Sequence, residues 1–130
     1  MYKRISLFLT IKDGVFTKTR NFNSEHIYST KHIDFSVFDE LIIVCTDLKN
    51  NLNYQTFINS IVKVLTVPLV LSGNVQTLDD AKNLFNLGAD RIIINRALWT
   101  NLEVVKSISE IYGKQAVIAS FDIGEVDDKL

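Results

Sequence analysis

The sequence predicts an α/β fold built of parallel βα units, and three observations carry that reading. Short aliphatic runs alternate with helical stripes from about residue 40 onward, the order that parallel crossovers produce. The runs at 5–11, 41–46, 68–72, 91–95 and 116–122 are aliphatic on both alternating faces. Half-exposed antiparallel strands alternate apolar with polar, so these runs belong in a sheet or barrel covered by helices. The last two units also repeat at a spacing of roughly 25 residues, as consecutive βα units do.

The elements follow in order. Strand 5–11 opens the chain, and the stretch 15–38 after it is the weak part. It holds both histidines, His26 and His32, with many β-branched and aromatic residues and only a poor helical stripe over 24–38. A parallel crossover needs about a dozen residues or more, which the length allows. After strand 41–46, Asn53 can cap a helix whose stripe is Tyr54, Phe57, Ile58, Ile61, Val62 and Leu65. Pro68 opens the next strand. Thr77 can cap the second clear helix, with Asp79 and Asp80 at its positive end, Leu78, Ala81, Leu84 and Phe85 inward, and Gly88 closing it. Asn101 can start the third, with Val104, Val105, Ile108, Ile111 and Tyr112 inward and Gly113 as its stop.

The chain has 130 residues, 47% of them apolar, enough for one domain with one core. That domain is expected over 1–123, followed by an acidic, frayed tail over 124–130. A formal net charge of −1 gives no general attraction to nucleic acid or membrane. No segment approaches about 18 continuous apolar residues and the N-terminus carries no secretory pattern, so the expectation is a cytoplasmic protein. The single cysteine, Cys45, allows neither an internal disulfide nor a multi-cysteine zinc site.

In a βα barrel the working residues stand where strands end and βα loops begin. Those positions are Thr10, Cys45 to Asp47, Ser72-Gly73-Asn74, Asn95-Arg96 and Asp122. Read with Ile11-Lys12-Asp13-Gly14, Asp39-Glu40-Leu41, Gly88-Ala89-Asp90-Arg91 and Phe121-Asp122, they carry a resemblance. The chain is similar to the N-terminal half of the cyclase subunit of imidazoleglycerol-phosphate synthase. That family is a (β/α)8 barrel that closes an imidazole ring in histidine biosynthesis with ammonia from a glutaminase partner. The resemblance implies half of such a barrel, about (βα)4β, with lyase chemistry and neither cofactor nor metal.

What the resemblance implies at each position is uneven. In the family the first strand ends in a catalytic Asp, where this chain has Thr10. The second carboxylate of the acid/base pair is matched by Asp122, and the flexible-loop lysine by Lys18. The Asp that ends the family's second strand is replaced by Cys45. The triple-glycine phosphate loop is reduced to Ser72-Gly73-Asn74, so a phosphate of the substrate would fall to Gly73, Asn74, Asn95 and Arg96. At the opposite mouth the family has a ring of charged residues that admits ammonia. Arg4, Glu40 and Arg91 match three of its members, and Asp90 matches a position that faces the glutaminase.

Ring closure needs one group to give a proton and another to take one, and Thr10 cannot titrate near neutral pH. Family chemistry is therefore expected to be slow or absent. Two further readings stand beside it, a non-catalytic module that docks a glutaminase or completes another half-barrel, and an ammonia-delivering subunit for another acceptor such as a sugar. Each position has a plainer reading too. Asp122 can cap its own turn, the charged ring can be an ordinary salt-bridged rim, and Cys45 can be a small buried hydrophobe. His26 and His32 have a poor metal spacing and no third ligand. Five parallel strands leave two open edges and an open core, so a homodimer or a second half-barrel is expected to cover them.

Overall fold

The chain is described by a computed structural model that covers residues 2–20, 23–28, 33–46 and 52–123. Among these, seven strands form one sheet in the order β3-β2-β1-β4-β5-β6-β7. The strands are β1 (Ser6–Lys12), β2 (Val15–Arg20), β3 (Asn23–Tyr28), β4 (Glu40–Cys45), β5 (Leu69–Ser72), β6 (Arg91–Ile94) and β7 (Val117–Ala119). From β1 through β4, β5 and β6 to β7 every neighbour is parallel. Four helices, α1 (Leu52–Val62), α2 (Leu78–Asn86), α3 (Ala97–Thr100) and α4 (Leu102–Tyr112), stand between these strands. The five parallel strands are those the apolar runs predict, and the architecture is half of a (β/α)8 barrel.

The departure from expectation lies in the first crossover. No helix forms there among the described residues. Instead β2 pairs antiparallel with β1, and β3 with β2, and among the described residues before β4 the helical piece is a single 3-10 turn at Phe35–Val37. The cause is local. Asp13 and Gly14, at φ 51° and 75°, make the two-residue connection that matches strand twist and so closes a hairpin. The turn sets Lys12 opposite Val15, Ile11 opposite Phe16 and Thr10 opposite Thr17. Asp-Gly between two apolar runs is itself a hairpin signal, and it outweighs the weak helical stripe. His32, Asp47 and the tail 124–130 lie outside the described residues.

The core lies between the sheet and the helices. Ile11, Leu41, Ile43, Leu69, Leu71, Ile92 and Ile94 are buried against Tyr54, Ile58 and Ile61 of α1, Ala81 and Leu84 of α2, and Val105 and Ile108 of α4. The hairpin joins this core through Phe16, whose ring meets Phe57 edge-on at 4.7 Å between centroids. Thr77 caps α2 as expected, in a reciprocal box with Asp80, and α4 ends at Gly113 with φ 90°. The short α3, which the periodicity did not reveal, turns the chain between β6 and α4.

Two aspartates set the strand register at the N-terminal end in the same way. Asp39, just before β4, donates its N–H to the Ile5 carbonyl at 2.9 Å and accepts the Ile5 N–H on Oδ2 at 2.6 Å. Asp90, just before β6, does the same to Leu69, at 2.8 Å in both directions. Each carboxylate thereby satisfies a backbone donor that the short ladder leaves over.

Candidate functional site

Side chains alternate across a strand, so the residues between the core positions face the other way, onto the concave side that a complete barrel would enclose. On β1 these are Phe8 and Thr10, since Leu7, Leu9 and Ile11 pack on the core. Parallel register carries the same level across the sheet, from Thr10 to Val44, from Val44 to Ser72 and from Ser72 to Ile93. At the C-terminal ends this face forms a pocket of about 360 Å³ lined by Phe8, Val44, Cys45, Thr46, Ser72, Asn74, Ile93, Asn95, Ser120 and Asp122. Its size suits a small ligand.

Asn95 and Asp122 are the polar centre of the pocket. Asn95 Nδ2 donates to Asp122 Oδ2 at 3.1 Å, bringing the ends of β6 and β7 together. Ser72 stands at the end of β5, and its carbonyl accepts the buried Tyr54 hydroxyl at 3.3 Å. Burial, and secondarily the neighbouring Cys45, push the Tyr54 phenol well above its ordinary value, so it is a neutral donor at any physiological pH. Gly73 is buried and Asn74 exposed. Neither has a positive φ, so this loop does not use the left-handed geometry of an anion nest. Arg96 is exposed at the start of α3.

Thr10 is withdrawn from this centre. It is 9% exposed, and its hydroxyl donates to the Thr17 carbonyl across the hairpin. Thr17 lies beside it on the same face, buried, and its own hydroxyl has no partner. Lys18, one residue on, projects from the opposite face of β2, exposed and outside the pocket lining. The site is therefore one carboxylate, two amides, two serines, a threonine and a cysteine around an apolar floor, with Thr10 locked at its edge.

At the opposite end Glu40 and Arg91 form an ion pair that spans β5. Ser6 Oγ adds a hydrogen bond to Glu40 Oε1 at 2.5 Å. Arg4 is exposed and stands outside this pair, while Asp90 is engaged with the Leu69 backbone. The structure thus brings Glu40 and Arg91 together and leaves Arg4 apart. Among the described residues no group of three or more His, Cys, Asp or Glu could hold a metal, and no helix is long and apolar enough to cross a membrane.

Sequence reasoning missed Phe8, Ser120 and Thr17. The first two follow from strand parity, since Phe8 shares a face with Thr10 and Ser120 with Asp122. Thr17 follows from counting back across the Asp13-Gly14 turn.

A parallel half-barrel with its pocket at the strand C-terminal ends is the class that fold and site define. The model of a family described as "Histidine biosynthesis protein" matches residues 9–128, and the chain belongs to that family. Its relatives include the imidazole glycerol phosphate synthase subunit HisF of Buchnera aphidicola subsp. Acyrthosiphon pisum, 30% identical over 92% of this chain and 49% of the relative. Those of Chlorobium phaeovibrioides, 29% identical over 98% of the chain and 53% of the relative, and Saccharolobus solfataricus, 30% over 95% and 52%, carry the same name. The chain spans about half the length of the curated relatives it matches.

Proposed function

We propose that this half-barrel receives ammonia from a glutaminase at its N-terminal end and presents it to a phosphorylated small acceptor held at the strand C-terminal ends. It works together with a second half-barrel, from another copy or another chain, that completes the wall opposite Asp122. The observation that carries this reading is the contrast between the two ends. The charged pair Glu40–Arg91 is intact, whereas Thr10 is buried and bonded to the Thr17 carbonyl. Proton transfer for imidazole ring closure then rests on Asp122 alone, held by Asn95, and one carboxylate cannot both donate and accept in the same step. Asn74 and Arg96 flank the mouth, where a phosphate of the acceptor would find a donor and a charge.

The same contrast favours a second reading, in which the ammonia goes to an acceptor other than the histidine precursor, such as a sugar, and the missing acid/base partner is no loss. Thr10→Asp separates the two. Ammonia-dependent imidazole formation appearing in the variant and absent from the wild type supports a competent cyclase site with one local lesion. No activity in a folded variant removes the cyclase reading and leaves delivery to another acceptor. Stimulation of a glutaminase by the chain tests the shared part, and its absence would sink both.

A further inference from the structure

We infer that Ser6 is a positioning residue of the N-terminal end: by filling one oxygen of the Glu40 carboxylate, it keeps Arg4 out of the ion pair and leaves that guanidinium outward for an acidic group of the glutaminase. This rests on the proposed docking of a glutaminase at this end and names the chemistry of one contact there. The sharing of Glu40 is the first observation. Its Oε2 receives Arg91, and its Oε1 receives the Ser6 hydroxyl at 2.5 Å. Register sets Ser6 directly beside Glu40 on the neighbouring strand, so a side chain as short as serine spans the gap. The Glu40 side chain is only 12% exposed, and a carboxylate that water reaches poorly needs protein donors on both oxygens. Serine supplies the second donor without a second charge.

Arg4 is the second observation. It stands two residues before Ser6, and the bonds between Ile5 and Asp39 keep the chain beside the start of β4 there. Strand parity then sets Arg4 on the same face as Ser6, about 7 Å along, a span that an arginine side chain covers. Yet Arg4 is exposed, and among the described residues it belongs to no ion pair. The donor on Oε1 decides this. With Ser6 in place a second guanidinium at Glu40 gains little, because both oxygens are filled and Arg91 already balances the charge. Without the hydroxyl, Oε1 is an orphan acceptor with a cation in reach. The outward position has a use. Tyr2 is 99% exposed, and Lys3 is exposed with Arg4, so the rim carries an aromatic ring beside two cations. Tyrosine and arginine are the residue types on which docking interfaces most depend, and the cations select a partner surface that bears carboxylates.

The test reads the arginine Nε–H signals of the isotope-labelled chain in mildly acid solution, with Arg4→Lys to assign the Arg4 signal. Glutamine hydrolysis by the glutaminase of a histidine-pathway synthase, mixed with the chain, is the second readout. Ser6→Ala is expected to move the Arg4 signal and to slow its exchange with water roughly twofold to fivefold, as Arg4 closes on Glu40. It should also lower glutaminase stimulation about as far as Arg4→Ala does, although Arg4 itself is intact. Ser6→Thr keeps the hydroxyl and should keep both the signal and the stimulation. Ser6→Ala/Glu40→Gln removes the charge that draws Arg4 in, and should return the signal to its wild-type position. An Arg4 signal that Ser6→Ala leaves in place, or that Ser6→Thr moves as far, would overturn the inference. Stimulation by Arg4→Ala equal to wild type would overturn the docking role of Arg4. The signal is read on the chain alone, so a moved signal with no stimulation by the wild type defeats the glutaminase reading and leaves the Ser6 role standing. Stimulation with an unmoved signal defeats the Ser6 role alone.

Discussion

Replacing Arg91 with methionine should expose how far the N-terminal end depends on its ion pair. The Glu40 side chain is 12% exposed and that of Arg91 32%, so removing the cation strands a carboxylate that water reaches poorly. Breaking a fully buried pair from one side costs about 3–5 kcal/mol. Solvent at the arginine end and the retained hydrogen bond from Ser6 reduce this to about 2 kcal/mol. For a domain of this size that lowers Tm by roughly 8 °C. Glu40→Gln/Arg91→Met removes the stranded charge as well, and should recover about 1 kcal/mol of the loss. Urea unfolding of the wild type, both single variants and the double variant gives the coupling energy directly. A loss below about 0.5 kcal/mol in Arg91→Met, or strict additivity in the double variant, would refute the claim that the pair is coupled and desolvated. If Arg91→Met retains full stability yet loses glutaminase stimulation, the arginine serves the partner rather than the fold.

Two more outcomes follow from the same geometry. Gly14→Ala should cost about 2 kcal/mol, because the site has φ +75° and a new Cβ would stand 3.0 Å from Asn53 Cβ at the start of α1; an unchanged urea midpoint would disprove the hairpin turn. Asp80 links stability to pH. Partial burial pushes its carboxyl up, but hydrogen bonds from Gln76 N–H and from the Thr77 hydroxyl and N–H outweigh that and hold it below the usual range. With the folded value depressed, its contribution is present above the unfolded value of about 3.9 and is lost as pH falls through the folded value. Asp80→Asn should therefore cost about 1 kcal/mol at pH 7 and little in strong acid; equal losses at both pH values would contradict the capping role.

Every parallel strand of the sheet was legible in the sequence. A strand buried on both sides must be apolar at consecutive positions, and the runs 41–46, 68–72 and 91–95 have no other economical use. The caps Thr77 and Gly113 were legible because backbone groups at helix ends need the same few residue types wherever they occur, whereas Asn101 precedes α4 without a side-chain cap bond and Asn53 falls inside α1. The positions that end the strands, Asn95 and Asp122 among them, followed from the strand ends and the resemblance together.

The hairpin is written in Asp13-Gly14, whose left-handed backbone closes it, and the packing of Phe16 on Phe57 then ties it to the core. What the sequence could not determine is how residues far apart in the chain share their bonds. Thr10 reads as a polar strand end, and only the register with Thr17 turns it into a buried, spent hydroxyl. Asp90 reads as a partner-facing charge and Asp39 as one residue of a motif, and only the sheet shows each gripping the backbone of a neighbouring strand. Glu40 and Arg91 become a pair, and Phe8 joins Asn95 and Asp122 in one pocket, because the parallel register sets them across the concave face. Sequence period fixes which face a side chain occupies, but its partner on that face depends on strand order and stagger, which arise from the packing of the whole sheet.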